Sequence, residues 1–598
     1  MNQSFSQEIS PATDFITLEP RQIFSRAVSF VRVHAAAFCA GALLFVMGLQ
    51  MFVVIRRKSI TVDEIVMIPS AYYHLASANF QLVNEHPPLS KLVAGVPLLF
   101  VQPEEVRPDQ MTAPAGSPDA KWAYYDSFWE NNFDRFDSLS FWPRTAMIVL
   151  TIGLGILVFW FARELFGGRA AVIATALFAL EPTVLAHGRV VQTDVPAAFG
   201  YLLFFVALYR YHRRRDWERA AWLGTAAAIA ILGKYSMLLA GMVLAPYFVA
   251  LVWRARRSDA RRFIFHGAIA CAAIFFVVNA SYFFIHPAVS TADVQWINES
   301  FTTHPRAIEN ASRLLSWILP KDFVLGVLYQ LVHNSSGHYA GLLGMYNQTG
   351  WWYYFPIAFA LKTTLPFLLL SLAALTWASY RIIRQKDWRF AWLVIPFFVY
   401  TIFVLFSHID IGVRYYLPAY PFLFILGAAL LDRLIRSTNA HRLGALMAFA
   451  LLAWIGVEAV RAFPNHMSYM NQLASRAPHW WYLSDSNVEW GDDLKATAAY
   501  LHARGENRVT DATLGGFFML HHYGIDRVDP LDPQFDPAAA PRYIAIGASY
   551  LNGSTIPAFG RTAGMSDAER VNIFAEYRNR VPEAVFGNSV SLFRQDVR

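Results

Sequence analysis

The sequence predicts a polytopic α-helical membrane protein with a small α/β domain after its last span. Three observations predict it. Of 598 residues, 56% are hydrophobic and only 16% are charged, which is membrane-protein usage. Apolar stretches of about 20 residues, enough to cross a hydrocarbon core of about 30 Å, recur along the chain. Every second loop between them is rich in arginine, and the acidic, histidine and aromatic residues gather in the other loops.

About eleven transmembrane helices are expected, near 35–55, 143–163, 169–187, 194–211, 217–234, 237–254, 263–285, 354–380, 389–408, 413–435 and 441–461. The loops Arg163–Arg169, Arg210–Arg219, Trp253–Arg262, Arg381–Arg389 and Arg433–Arg442 all fall on one side. The positive-inside rule makes that side cytoplasmic, with the N-terminus in the cytoplasm and the segment after the last span outside. Arg56, Arg57 and Lys58 break the pattern: they follow the first span on the outer side, as lipid-phosphate ligands or because that span ends early. The net charge of +7 is spread over short loops rather than gathered in a patch, so membrane lipids, and not nucleic acid, are the expected partners.

Residues 1–34 have no apolar core next to a cleavage site and read as a cytoplasmic lead-in. Residues 35–462 form the membrane domain, with outer loops 59–142 and 286–353, and 463–598 an extracytoplasmic domain. Leu89 to Val101 is short for a span and reads as an interfacial helix. Cys39 and Cys271 lie inside spans and read as core thiols. Beyond residue 463, DDLKATAAYLHARG reads as a helix from near Asp492 to Gly505, and YIAIGASYL and VSLFRQDV as strands. The preceding DSNVEWGDD lacks the glycine position and closing glutamate of a calcium loop, so Asp492 or Asp493 is expected to cap that helix.

Chemistry-bearing residues collect at the outer ends of spans. Asp63 and Glu64 follow the first span. Glu85-His86-Pro87-Pro88-Leu89 and Lys91 come about twenty residues later. His187, Arg189 and Asp194 share one short loop, Lys234 ends the fifth span, His286 closes the seventh, and Arg414-Tyr415 opens the tenth. Singly, each has an ordinary explanation: Asp63 and Asp194 as caps, Lys234 as a snorkelling side chain, Arg414 as a lipid-phosphate contact. Together they make a site for an anionic lipid headgroup and a reacting hydroxyl, because charges at this depth are costly unless paired or used. Trp351 and Trp352, in the run Gly350–Tyr354, read as an interfacial aromatic belt or a platform for sugar or prenyl chain.

The acidic pair after the first span, the HPPL segment, LEPTVLAHGRVVQTDVPAAF, GWWYYFPIAFALKTTLP, IGVRYYLPAYPFLF and DSNVEWGDDLK occur in an order that resembles the GT-C membrane glycosyltransferases. Within them the chain is similar to bacterial relatives of the dolichyl-phosphate-mannose protein mannosyltransferases (glycosyltransferase family 39). A more distant likeness is to the lipid A aminoarabinose transferases, whose Glu-Lys-Pro-Pro-Leu segment has His86 here in place of lysine. The resemblance implies a GT-C fold and an inverting transfer from a polyprenyl-phosphate-linked sugar to an acceptor protein, glycan or lipid on the outer face of a bacterial inner membrane. It assigns Asp63 as base. The chemistry of the residues themselves puts Glu64 and Asp194 in the catalytic set, Arg414, Lys234 and Lys91 at the donor phosphate, and Glu85, His86, Arg189, Tyr415, Trp351 and Trp352 in support.

No cofactor is expected as a requirement. Glu85 with His86, His187, His286, His333 or His338 has zinc-ligand chemistry, Glu85 and His286 above all, but no pair has a diagnostic spacing. Two rivals remain. A transporter or lipid flippase places its ionisable residues near the midplane, often within inverted repeats, which this chain does not show. A non-catalytic prenyl-phosphate-binding member would keep the same cations.

Overall fold

The computed structural model describes residues 20–107, 120–436, 441–556, 558 and 560–595. Parts of three sequence readings, residues 1–19 of the lead-in, 108–119 of the first outer loop and 437–440 of the last basic loop, lie outside the described residues. In chain order the helices of the membrane part are α1 Pro20–Arg57, α2 Val62–Ser77, α3 Leu89–Val101, α4 Ala120–Asn131, α5 Phe136–Phe166, α6 Gly168–Leu180, α7 Pro182–His187, α8 Asp194–Arg213, α9 Trp217–Gly233, α10 Leu239–Arg254, α11 Arg257–Ser281, α12 Thr291–Ser300, α13 Pro305–Leu315, α14 Lys321–Ser336, α15 Tyr354–Lys362, α16 Leu365–Gln385, α17 Ala391–Val404, α18 Tyr420–Arg436 and α19 His441–Ala462.

The chain is a multi-pass membrane protein. Seven stretches among the described residues are long and apolar enough to cross a membrane: His34–Arg57, Phe133–Phe166, Tyr235–Arg254, Arg257–Ser281, Leu365–Gln385, Val413–Arg436 and Arg442–Ala462. The other four expected spans differ. α6, α9 and α17 have 13, 17 and 14 residues, and α8 carries Asp194, Arg210 and Arg213 and is buried on most of its faces.

Two expected spans are interrupted, and for one reason. Pro182 has no N–H and pushes Glu181 into extended conformation, which ends α6 and starts α7. Thr363, Thr364 and Pro366 do the same between α15 and α16. Backbone groups freed inside a membrane protein must find partners, and the two breaks supply them to each other. The Glu181 carboxylate accepts from the Thr364 hydroxyl at 3.1 Å and its N–H at 3.3 Å, and the Thr183 hydroxyl donates to the Lys362 carbonyl at 3.1 Å.

Small residues bring α8, α9 and α11 into close contact. A Cβ at Gly200 would lie 2.4 Å from the Cα of Ala230, and one at Gly224 would lie 2.2 Å from the Ala270 carbonyl oxygen. Only glycine fits at these crossings, the usual device for helix packing in lipid. Cys39 and Cys271, expected in the core, are exposed instead. They lie on outward faces of α1 and α11, which the span assignment alone does not distinguish from inward ones.

The arginine loops do converge on one end. Arg210 reaches Glu164 at 3.6 Å, Arg169 pairs with Asp432, Arg262 donates to the Arg215 carbonyl, and the Arg389 guanidinium lies 5.9 Å from the Phe166 ring centre. The opposite end carries Asp63, Asp194, Lys234 and Arg414. Of the three exceptional cations, Arg56 and Arg57 end α1 and stay exposed, lying against aromatic rings, and only Lys58 is buried in the protein. Arg56 lies over Phe52 and Phe141, Arg57 over Phe463, and buried Lys58 donates to Asn465 at 2.5 Å and pairs with Asp493.

Strands β1 (Ala340–Leu342) and β2 (Met345–Asn347) form a hairpin between α14 and α15. It is tied to the following segment by Leu343 N–H on the Tyr482 carbonyl, 2.9 Å, and Gly341 N–H on the Ser484 hydroxyl, 2.8 Å. The small α/β domain is a five-stranded sheet of β3 (Arg508–Ala512), β4 (Asp526–Val528), β5 (Tyr543–Gly547), β6 (Ala584–Phe586) and β7 (Val590–Arg594), in the order β4-β3-β5-β7-β6. β4, β3 and β5 are parallel, and β7 runs antiparallel to both β5 and β6. The helix preceding β3 is Leu494–His502, and the Asp493 side chain makes no capping bond. The expected cap is therefore replaced by ion pairs, Asp493 to Lys58 and Asp492 to Arg189 at 3.1 Å, because both carboxylates are buried where a cation offers more than a backbone N–H.

Breaking a buried pair leaves an uncompensated charge, so Lys58→Met should cost roughly 3–5 kcal/mol. It is read as a lower thermal unfolding midpoint of the purified protein, and Lys58→Met with Asp493→Leu should recover most of the loss. An unchanged midpoint in the single variant contradicts this account of the contact.

Candidate functional site

Four charged side chains from four segments meet at the end of the bundle opposite the arginine loops. Asp63 lies in the first turn of α2, Asp194 is the first residue of α8, Lys234 follows the end of α9, and Arg414 sits in the 3-10 segment Val413–Ala419 before α18. Lys234 Nζ is 2.7 Å from Asp194 Oδ1. Arg414 Nη1 is 3.5 Å from Asp194 Oδ2 and 3.2 Å from Asp63 Oδ2. Asp63 also accepts from the Gln192 side-chain amide. A helix N-terminus favours the carboxylates at Asp63 and Asp194, and a helix C-terminus favours the ammonium at Lys234.

The four are not equally accessible. The side chains of Asp194, Arg414 and Lys234 are 3%, 5% and 10% exposed, whereas that of Asp63 is 29% exposed. Asp63, Arg414 and Lys234 line a cavity of about 470 Å³. Asp194 lies behind them and holds both cations. The Arg414 guanidinium stacks 4.1 Å from the Trp490 ring centre, and Lys234 Nζ lies 3.4 Å from that of Tyr415. Arg414 Nε has no hydrogen-bond partner among the described residues. The cavity thus offers an accessible carboxylate beside two cations with donor capacity to spare.

The remaining wall is polar and aromatic: Glu85, His86, Thr193, Gln330, His333 and His338, with Trp296 and Tyr329. Those two rings are stacked, centres 6.0 Å apart. Burial, followed by the charges of Lys91, Lys234 and Arg414, pushes the His86 imidazole down to about 3. It is a neutral hydrogen-bonding group near pH 7.

The DSNVEWGDD segment fastens this site to the α/β domain. Val62 N–H donates to the Trp490 carbonyl at 2.9 Å, Ser59 N–H to the Asp492 carbonyl at 3.0 Å, and Val413 N–H to Asn487 Oδ1 at 2.8 Å. One strap therefore fixes the backbone beside both Asp63 and Arg414. Glu489, fully buried, accepts from the N–H groups of Leu514 at 2.7 Å and Ser549 at 2.9 Å. Burial lifts its carboxyl to about 8, with those two N–H groups pulling the other way.

Several expected site residues lie elsewhere or face away. Glu64 is buried: it accepts from Thr61 N–H at 2.8 Å and Val191 N–H at 2.9 Å and lies 3.4 Å from Arg144. It does not line the cavity. Lys91 donates to the carbonyls of Val83 at 2.6 Å and His86 at 2.9 Å, clamping the loop below the cavity. Arg189 is spent on Asp492. Trp351 offers its backbone N–H to Asp410 at 2.7 Å, Trp352 is exposed, and neither lines the cavity. The His286 ring faces the Ser316 carbonyl at 3.3 Å, apart from Glu85. Among the described residues no three His, Cys, Asp or Glu side chains come together as a metal-holding set.

Gln192, Asn487, Trp490, Trp296 and Tyr329 belong to the site without any mark in the sequence pattern. Gln192 precedes Asp194 by two residues, and Asn487 and Trp490 lie within a segment already noted, but their partners are distant in sequence: Gln192 meets Asp63, 129 positions away, and Asn487 meets Val413, 74 away.

A family model described as dolichyl-phosphate-mannose-protein mannosyltransferase matches residues 136–282, from α5 to the end of α11. Among solved structures, it is similar to ArnT from Cupriavidus metallidurans bound to undecaprenyl phosphate, with 13% identity, 94% of this chain and 98% of that chain covered and a TM-score of 0.47. It is also similar to the Archaeoglobus fulgidus oligosaccharyltransferase, with 11% identity, 86% and 70% covered and a TM-score of 0.45. For the S. cerevisiae protein O-mannosyltransferase complex bound to its sugar donor, the figures are 14%, 41% and 33% covered, and 0.29. No curated protein matches the sequence.

Asp194→Asn strips a buried carboxylate from two cations and should cost roughly 3–5 kcal/mol of stability. Asp63→Asn, at a partly exposed position, should cost less than about 1 kcal/mol. Unfolding midpoints of the two variants compare them, and equal losses would contradict the division between anchor and accessible acid.

A second prediction concerns pH. Because the folded state raises the Glu489 carboxyl, it favours the neutral acid. That stabilisation is complete below about pH 4.5 and is lost as pH rises through about 8. The unfolding midpoint of wild type should therefore fall more steeply over that window than that of Glu489→Gln. Parallel curves would show that Glu489 does not titrate in the fold.

Proposed function

We propose that the chain is an inverting glycosyltransferase that moves a sugar from a polyprenyl-phosphate donor to an acceptor hydroxyl on the outer face of the membrane. The observation that carries the reading is one accessible carboxylate, Asp63, beside two cations that a buried carboxylate, Asp194, holds in place. The mannosyltransferase description of the family matched at 136–282 and the ordered motifs of the sequence support it.

The chemistry follows from the geometry. An acceptor hydroxyl is a poor nucleophile near neutral pH, so a positioned carboxylate takes its proton as oxygen attacks. Asp63 takes that proton while the hydroxyl oxygen bonds to the anomeric carbon. The bond from that carbon to the donor phosphate oxygen breaks, and the electron pair leaves with the phosphate. The sugar passes through an oxocarbenium-like state. Arg414, through its Nε and remaining Nη groups, and Lys234 stabilise the phosphate as it gains charge. A phosphate on Arg414 also competes with Asp63 for the same guanidinium, which frees the Asp63 oxygen for its proton. Donor and base are thereby coupled.

No resident metal is needed for these steps. Glu64, Lys91 and Arg189 act on position: Glu64 fixes the first turn of α2, Lys91 the 83–86 loop, and Arg189 the strap at Asp492. The acceptor is a protein, glycan or lipid hydroxyl, and the site belongs on the periplasmic face of a bacterial inner membrane, opposite the arginine loops.

Asp63→Asn should lower donor turnover by about 10²–10⁴-fold and leave donor binding within a few-fold of wild type. Both are read with a panel of radiolabelled prenyl-phosphate sugars and purified protein in nanodiscs. If the variant turns over a donor at the wild-type rate, Asp63 is not the base. If wild type binds no prenyl-phosphate sugar, the glycosyltransferase reading fails and a transporter takes its place.

A further inference from the structure

At the end of the bundle opposite the catalytic cavity there is a second concave site. Its volume is about 660 Å³, and it is lined by Arg381, Arg389, Arg433 and Arg436, with one acid, Asp432. Arg381 lies one turn before the end of α16, Arg389 in the loop before α17, and Arg433 and Arg436 in the last turn of α18. Phe166, Trp377 and Phe390 complete the wall.

Arginines in cytoplasmic loops are expected from the positive-inside rule, but that rule asks only for charge. These side chains converge. Including the neighbours they pair with, five arginines (Arg169 added) face two aspartates, Asp387 and Asp432, an excess of three positive charges. Arg381 holds Asp387 at 2.8 Å by one Nη and lies between the Trp377 and Phe390 rings, at 5.8 and 5.7 Å. Its buried Nε has no hydrogen-bond partner among the described residues. Arg433 lies 5.8 Å from the same Trp377 ring. A guanidinium beside an aromatic ring keeps N–H groups that can donate to a phosphate oxygen.

From the convergence of Arg381 and Arg433 in an aromatic-walled basic pocket at the cytoplasmic membrane surface, we propose that this pocket binds the phosphodiester headgroup of an anionic phospholipid. The aromatic wall and the neighbouring apolar helix ends take the first acyl carbons, and the guanidinium groups take the phosphate. Basic pockets between transmembrane helices on this side suit such headgroups. The site is separate from the proposed donor site, whose phosphate lies at the other end of the bundle.

The test uses full-length protein in phosphatidylcholine nanodiscs containing a small fraction of phosphatidylglycerol or cardiolipin, with co-purifying lipid counted by native mass spectrometry after extraction. Wild type is compared with Arg381→Gln/Arg433→Gln. It is also compared with Arg213→Gln/Arg214→Gln, which removes the same charge from another basic loop. The pocket pair should lower retained anionic lipid by about tenfold or more, the control pair should leave it within twofold, and excess inorganic phosphate should not displace it. Arg381→Lys/Arg433→Lys keeps the charge and checks folding by its unfolding midpoint; it should recover only part of the retention. Equal loss in pocket and control pairs would reduce the site to general surface charge. Displacement by inorganic phosphate would make it a soluble-anion site. Either result overturns the proposal, as does undiminished retention in the pocket pair.

Discussion

The structure depends on how it neutralises charge at the end of the bundle opposite the arginine loops. Asp194 is nearly fully buried and bridges Lys234 and Arg414, so three segments distant in sequence are drawn to one point. In a medium of low dielectric such a group is tolerated only when paired. Asp63 shares Arg414 but stays partly exposed. A single ion network therefore closes the end of the bundle and leaves one carboxylate accessible. The strap from Asp485 to Asp493 repeats the device one layer out, with Asp492 on Arg189 and Asp493 on Lys58. Through it the α/β domain is fastened beside the cavity.

The breaks between α6 and α7 and between α15 and α16 serve the same end. Each removes backbone hydrogen bonds inside the membrane part, and each is repaired by the other through Glu181, Thr183 and Thr364. From the α6–α7 break the chain runs through the short α7 into the His187–Asp194 loop and so delivers Asp194 to the site. Lys362, at the other break, donates to the Met467 carbonyl at 2.5 Å and to the Asn487 carbonyl, which anchors the strap. Irregular backbone here is a route for placing residues.

Much of this was legible in the sequence, and the reasons differ by feature. Apolar length and arginine asymmetry are properties of single segments, so the membrane class and the separation of the two ends could be read directly. The convergence of Asp63, Asp194, Lys234 and Arg414 also followed, because each sits at the same end of the bundle, away from the arginine loops. What failed is equally physical. Thr61-Val62-Asp63-Glu64 carries the Thr-x-x-Glu pattern of a capping box. Glu64 indeed turns back to Thr61 N–H, a signal the reading of an acidic pair passed over. Lys91 binds backbone carbonyls, partners that no side-chain code records. Asp492 and Asp493 take cations brought by α1 and the loop before α8, and such long-range pairing overrides the local preference for capping. The exposure of Cys39 and Cys271 depends on helix rotation, which apolar residues on every face leave unmarked.

The central claim is a single displacement in which Asp63 takes the acceptor proton. The measurement that tests it most directly is the anomeric configuration of the product. Wild-type protein would be given a prenyl-phosphate sugar of defined anomer, and the glycoside formed in one turnover would be analysed by NMR. Direct attack predicts inversion at the anomeric carbon. Retention would require a covalent glycosyl-carboxylate intermediate, with Asp63 as nucleophile, and would contradict the account.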